Sequence, residues 1–175
     1  GINNNAVRAK IQGYVTNVYV DEGQYVSAGQ PLFKLETNVL SQSANAAKSG
    51  VAASSANVKA AQANVSAAQA RVQAAQVEVN KLIPLVEKNI ISSVQLETAK
   101  ANLAQAQAAQ NQAQAALAQA PARQSQAQAG LNEVNANINF SVVRSPISGV
   151  VGSINFREGS LVGPSDPTAL TNVSN

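Results

Sequence analysis

The two ends of this chain repeat one pattern, and that repeat limits the fold more than any other feature. Residues 7–26 read VRAKIQGYVTNVYVDEGQYV, and residues 143–162 read VRSPISGVVGSINFREGSLV. They align without a gap. Eight of the twenty positions are identical: Val7/Val143, Arg8/Arg144, Ile11/Ile147, Gly13/Gly149, Val15/Val151, Glu22/Glu158, Gly23/Gly159 and Val26/Val162. A self-similar pair at the termini predicts two half-domains that pack on each other, with the intervening residues as an insertion. Each half is a series of short β-branched runs separated by Gly-bearing turns, the pattern of a compact all-β fold. In the first half, Ile11 to Val20 leads into the turn Asp21–Gln24, then Tyr25-Val26, then Pro31 to Leu35. In the second half, Val150-Val151 leads into the turn Arg157–Ser160, then Leu161-Val162, then Ala169-Leu170. Gly23 and Gly159 are expected at positive φ, where glycine alone is free of steric strain.

The insertion has a different period. Val recurs at 51, 58, 65, 72, 79 and 86, and Ala61, Ala68, Ala75 and Leu82 follow three residues after four of them. That spacing is a heptad seam with Val at a and small residues at d. A second seam runs through Leu96, Leu103, Gln110, Leu117, Gln124, Leu131 and Ile138, with Ala99, Ala106, Ala113, Ala120, Ala127 and Val134 at its d positions. Two seams of similar length on either side of the break Glu87–Ser92 predict an antiparallel coiled-coil hairpin. At 1.5 Å per residue each arm would reach roughly 70 Å. Ser92 followed by Gln95 reads as a capping-box start for the second arm. Pro121 is expected to kink that arm without ending it, because the Leu/Ala phase continues across it. Pro84 is expected to perturb the last turn of the first arm.

Composition removes several function classes. The chain has no Cys and no His, so most metal sites and nucleophile–base pairs lack their usual actors. Its 12 Lys and Arg residues are scattered singly and aromatics are 3% of the chain, so neither a basic cluster nor a stacking platform for nucleic acid is present. No stretch approaches the apolar length of a membrane span.

The frame running from Gly13 through Val15, Val18, Val20, Gly23, Val26 and Gly29 to Leu32 resembles that of biotinyl and lipoyl carrier domains. The resemblance implies a flattened β-sandwich whose halves are related by a pseudo-twofold. Phe33–Asn38 is similar to the segment that leads into the modified lysine of true carriers. Here Asn38 stands at the acidic position and Val39 at the lysine position, so the carrier attachment chemistry and its cofactor are not expected.

A β domain split by a helical hairpin resembles the periplasmic adaptor proteins, or membrane fusion proteins, of RND-type tripartite efflux pumps. The fold class expected is therefore α+β: a split lipoyl/biotinyl-like β-sandwich with an inserted long antiparallel coiled-coil α-hairpin. Residues 1–37 would form the first half, 38–139 the hairpin with its tip near 87–92, and 140–175 the second half. The tip motif of that family is Arg, then Leu four residues on, then Ser seven further. Here those places hold Lys81, Leu85 and Ser92. Lys keeps the charge and reach of Arg but not its bidentate fork. The resemblance implies a non-enzymatic, hexameric adaptor in the Gram-negative periplasm, anchored to the inner membrane. Its partners would be an inner-membrane RND-type transporter and a TolC-type outer-membrane channel docked by the tip. It also implies a β-barrel and a membrane-proximal domain, which these residues do not include. Two alternatives stay open: an adaptor of an MFS- or ABC-type exporter, or a structural coiled-coil spacer beside a degenerate carrier domain.

Overall fold

A computed structural model describes residues 4–175. Eight strands and two helices follow one another as β1 (Asn4–Val7), β2 (Gly13–Val18), β3 (Tyr25–Val26), β4 (Pro31–Leu35), α1 (Asn38–Glu87), α2 (Ser93–Phe140), β5 (Val142–Arg144), β6 (Gly149–Val151), β7 (Leu161–Val162) and β8 (Thr171–Ser174). The α+β class and the split by an inserted helical pair are as the sequence predicts.

The strands form two four-stranded sheets. Sheet 1 has the order β1-β8-β6-β3, and sheet 2 has the order β5-β4-β2-β7. Exchanging each strand for its counterpart in the other half of the chain turns one order into the other. Each sheet therefore takes two strands from each half, and neither half can close a sheet alone.

The identical residues do equivalent work. The Gly23 N–H donates to the Val151 carbonyl at 2.7 Å, and the Gly159 N–H donates to the Val15 carbonyl at 2.7 Å. In return, the Val151 N–H donates to the Gln24 carbonyl at 2.9 Å and the Val15 N–H donates to the Ser160 carbonyl at 2.8 Å. Gly23 has φ 83° and Gly159 has φ 89°, as their turn positions require. Val7, Val15, Val26 and their repeats Val143, Val151 and Val162 are all buried, and Leu32, Phe33, Leu35, Leu170 and Val173 complete the core between the sheets. The repeat shifts after Val162. Val143 pairs with Phe33 and Val7 pairs with Thr171, although the ungapped alignment would match Phe33 to Ala169. The second half thus carries a connection longer by two residues.

The insertion enters and leaves through neighbouring strands. β4 and β5 are antiparallel partners, with Lys34 opposite Val142. The Leu35 N–H donates to the Ser141 carbonyl at 2.7 Å. Ser141 is fully buried, and its hydroxyl donates to the Ile138 carbonyl and accepts from the Lys34 ammonium. The helices occupy the place of a β4–β5 turn, so the loop ends are held together by sheet pairing whatever the loop length.

The chain forms two compact units. One joins the residues up to Lys48 to those from Gly130 onward, and the other is Ser49–Ala129. In the helical unit, burial follows the heptads. In α2, every residue from Leu96 to Val134 that is not exposed is an a or d position of the second seam. In α1, Val79 and Ala68 are buried and Val58, Ala61, Val65, Val72 and Ala75 are half-buried, while their flanking residues are exposed. One cleft is lined by Asn57, Ala61 and Asn64 of α1 and by Ala116, Ala120 and Arg123 of α2, so the two arms run antiparallel with small side chains between them. α2 passes through Pro121 without ending, as expected. Pro84 lies inside α1, which runs on to Glu87, and the Lys88 N–H donates to the Pro84 carbonyl at 3.1 Å. Pro84 is exposed, its carbonyl remains a normal acceptor, and the missing donor is its own N–H alone.

Two expectations follow from this packing. A Cβ on Gly149 would lie 2.3 Å from the Ser174 carbonyl oxygen, whereas one on its repeat Gly13 would meet the Leu35 side chain, at 3.4 Å from its Cβ and 3.7 Å from its Cδ1. Gly149→Ala should therefore lower stability by about 1–3 kcal/mol, and Gly13→Ala by clearly less; equal melting losses in the two variants would contradict the close approach. In α1, Val79 is 4% exposed and Val77 is 65% exposed, two residues apart. Val79→Ala should lower helix stability by about 1–2 kcal/mol and Val77→Ala by almost nothing, as read from thermal melts of the helical circular dichroism. A reversed order would place the seam on the wrong face.

Candidate functional site

The candidate residues lie on the last turns of α1 and the first of α2. α1 ends in a Schellman motif. The Ile90 N–H donates to the Leu85 carbonyl at 2.8 Å and the Asn89 N–H donates to the Val86 carbonyl at 3.0 Å. Asn89 takes the left-handed conformation this motif needs, with φ 57°, the one described non-glycine residue with positive φ. Asn tolerates that region better than most residues because its short polar side chain can bond locally.

α2 starts from Ser92. Its hydroxyl accepts from the Val94 N–H at 3.2 Å, and its carbonyl accepts from the Gln95 N–H at 3.3 Å. Ser92 is the N-cap, as predicted, but its hydroxyl engages the second helical amide rather than the third, the one a capping box uses. The loop between the helices is only Lys88–Ser92.

Lys81 and Leu85 are one turn apart on α1 and share a face. Lys81 is exposed and Leu85 is half-buried. The seam beside them is occupied by Val79, Leu82 and Val86, all buried or half-buried, so neither Lys81 nor Leu85 sits at a seam position. Ser92 is exposed and lies across the turn. The three residues thus fall within one α1–turn–α2 segment, whose ends are held by the Ile90 N–H donating to the Leu85 carbonyl and the Val94 N–H donating to the Ser92 hydroxyl.

Other residues of this segment were not singled out by the sequence reading. Ile90 and Val94 are each 63% exposed, a large apolar exposure for so short a segment. Ile90 lies in the five-residue loop, where no periodicity separates an exposed apolar residue from a buried one, while Val94 lies in the first turn of α2 at neither an a nor a d position of its seam. Asn89 did carry a signal, since Asn directly after the last periodic residue marks a helix C-terminus.

The carrier position is also accounted for. Asn38 and Val39 are the first residues of α1, and Val39 is exposed. A helix start stands where a carrier would present its lysine turn. Among the described residues no helix is long and apolar enough to cross a membrane, and no group of three or more His, Cys, Asp or Glu is placed to hold a metal ion.

Comparison with known proteins agrees with this fold. Residues 3–174 match the family model described as RND MFP, barrel-sandwich hybrid domain. The chain is 30% identical over 174 residues to the membrane fusion protein MtrC of Neisseria gonorrhoeae, covering 95% of this chain and 34% of that protein. The chain therefore spans about a third of that relative's length. Among solved structures, it is similar in fold to MacA from Actinobacillus actinomycetemcomitans, with TM-score 0.52 and 23% identity over 100% of this chain and 52% of that one. It is also similar in fold to the soluble domain of LipC, a membrane fusion protein of a type I secretion system, with TM-score 0.57 and 14% identity over 98% of this chain and 99% of that one. A reciprocal β-sandwich split by a capped helical pair, matched from end to end by the family model, places this chain in the RND membrane fusion protein family, of which it carries the barrel-sandwich hybrid domain.

Proposed function

We propose that this chain is the channel-docking part of a non-enzymatic periplasmic adaptor. The complete protein would be held at the inner membrane of a Gram-negative bacterium and would join an RND-type transporter to a TolC-type outer-membrane channel. It would work as a homo-oligomer, a hexameric ring or tube. The transporter would supply the energy, and the adaptor would couple and seal.

The observation that carries this reading is the capped tip. A Schellman turn and an N-cap hold a five-residue loop in one backbone conformation. Beside it, Lys81, Leu85 and Ser92 keep the family's tip spacing, and Leu85 is an apolar side chain that the heptad seam does not need. An unneeded apolar residue on a rigid, preorganised tip fits a docking role, because little conformational freedom is lost on binding. In this reading Leu85 enters an apolar groove of the channel, while Lys81 and Ser92 donate hydrogen bonds to its polar groups. Residues 38–139 act as the docking hairpin, and the two β segments position it. A pure spacer would have no use for the triplet.

The test is export-dependent drug tolerance in cells lacking their own adaptor, with each full-length variant confirmed to be expressed. Leu85→Asp should abolish tolerance, because a carboxylate would be desolvated against an apolar groove. Leu85→Ala should weaken docking by about 1–3 kcal/mol. Lys81→Arg should preserve or raise function by restoring the fork geometry. Ser92 separates capping from docking. Ser92→Ala removes the cap, worth about 1 kcal/mol; Ser92→Asp keeps the cap but cannot donate. Loss of tolerance in Ser92→Asp, with an unchanged helical melt, assigns the hydroxyl to docking. Full tolerance in well-expressed Leu85→Asp would reduce the hairpin to a spacer.

A further inference from the structure

Cations that stand singly in the sequence meet at one cleft of the β unit. The cations of that unit are Arg8, Lys10, Lys34, Lys48, Arg144 and Arg157, and half of them, Arg8, Lys10 and Arg144, line the same cleft. Its other lining residues, Asn139, Phe140, Val142 and Val143, are uncharged. Arg8 and Arg144 are counterparts in the repeat. Arg8 directly follows β1, an edge of sheet 1, and Arg144 ends β5, an edge of sheet 2. The fold thus brings the two repeat arginines to one place from opposite ends of the chain.

The two guanidinium groups are braced alike. An Arg8 N–H donates to the Asp166 carbonyl at 2.7 Å, in the loop after β7. An Arg144 N–H donates to the Gly29 carbonyl at 3.0 Å, in the loop after β3. Each arginine is steered by a loop of the opposite half, through a neutral backbone acceptor that leaves further N–H donors for a ligand. The Asp166 carboxylate is turned to its own loop, where it accepts from the Gly163 N–H at 2.9 Å. The third cation, Lys10, stands over the Phe140 ring, 5.1 Å from its centroid, a cation–π contact. Gathering like charges costs energy, and among the described residues lining the cleft none carries the opposite charge.

We propose that this cleft binds a phosphate monoester carried on a small apolar body, either free in solution or as a lipid headgroup. Two guanidinium forks and an ammonium suit a phosphate dianion better than the single charge of a carboxylate. The phosphate is held by Arg8, Arg144 and Lys10, and the Asn139 amide supplies a further donor. The cleft measures about 280 Å³, more than a bare phosphate fills and close to the lower end of small-molecule pockets. The space left over faces Phe140, which is 37% exposed, and Val142, which is half-buried. These two side chains receive the apolar body. The site uses no residue of the helical tip.

The test is calorimetric titration of the full-length protein with phenyl phosphate at low ionic strength, where exposed charges are least screened. Saturable binding is expected, tighter than that of inorganic phosphate, because the ring adds apolar contact. Arg8→Gln and Arg144→Gln should each weaken it by about tenfold, the usual worth of a hydrogen bond to a charged group. Arg157→Gln, which removes a cation of the same unit outside the cleft, should leave it unchanged. Thermal melts confirm that each variant is folded. Lys10→Glu, at an exposed position, is the probe should the arginine variants melt early, and it should weaken binding as well. Co-sedimentation with phosphatidylcholine vesicles, with and without phosphatidic acid, identifies the source of the phosphate. Acid-dependent binding that Arg8→Gln and Arg144→Gln lower assigns the cleft to a lipid headgroup; phenyl phosphate binding without it assigns the cleft to a free ligand. No saturable binding of phenyl phosphate would overturn the proposal. So would equal affinity in wild type, Arg8→Gln and Arg144→Gln, or a loss in Arg157→Gln as large as theirs. The readout requires neither channel nor transporter: its failure leaves the tip assignment standing, and a failed tip assignment leaves this site standing.

Discussion

Everything else in this structure depends on four backbone hydrogen bonds that cross between the halves. Gly23 and Gly159 donate to the carbonyls of Val151 and Val15, and the amides of the same two valines donate back to Gln24 and Ser160. Each bond joins residues more than a hundred positions apart, so the chain must close a very long loop before any of them forms. Closure entropy rises only slowly with loop length, which lets a sandwich tolerate so large an insertion. The bonds also require the turns to take positive φ, which explains glycine at 23 and 159.

The insertion obeys a second constraint, set at its base and at its far end. At the base, the pairing of β4 with β5 and the buried Ser141 hold the points where the chain leaves and re-enters sheet 2. At the far end, Asn89 and Ser92 satisfy backbone groups that two facing helix termini would otherwise leave open. Between these points the seam is mostly Val and Ala, which bury modest area per residue. The hairpin relies on length and regular phase, with little contributed by any single large side chain. Leu85 stands out against that background, since it is large, apolar and outside the seam.

Much of this was legible in the residues, for identifiable reasons. The repeat at 7–26 and 143–162 announced two halves because the core valines and turn glycines cannot drift without losing packing or backbone geometry. The Val and Leu heptads announced the helices because a seam must face its partner at every turn. The termini of α1 and α2 were marked by Asn89 and Ser92, although the sequence suggested a different amide as the partner of the Ser92 hydroxyl.

By itself, the sequence determined which residues are core, where the chain turns, and that the middle is a pair of long helices, because these follow from local periodicity and side-chain chemistry. Tertiary structure alone decided which strands pair with which. Only the register of β2 with β7 and of β3 with β6 sets Tyr14 beside Leu161 and Tyr25 beside Val150. Only the folded chain brings the start of α1 next to Tyr14 to form a recess. Exposure at Tyr25 and Ile90 was decided the same way. Whether an apolar residue is covered depends on what the rest of the chain places over it, and no local pattern contains that information.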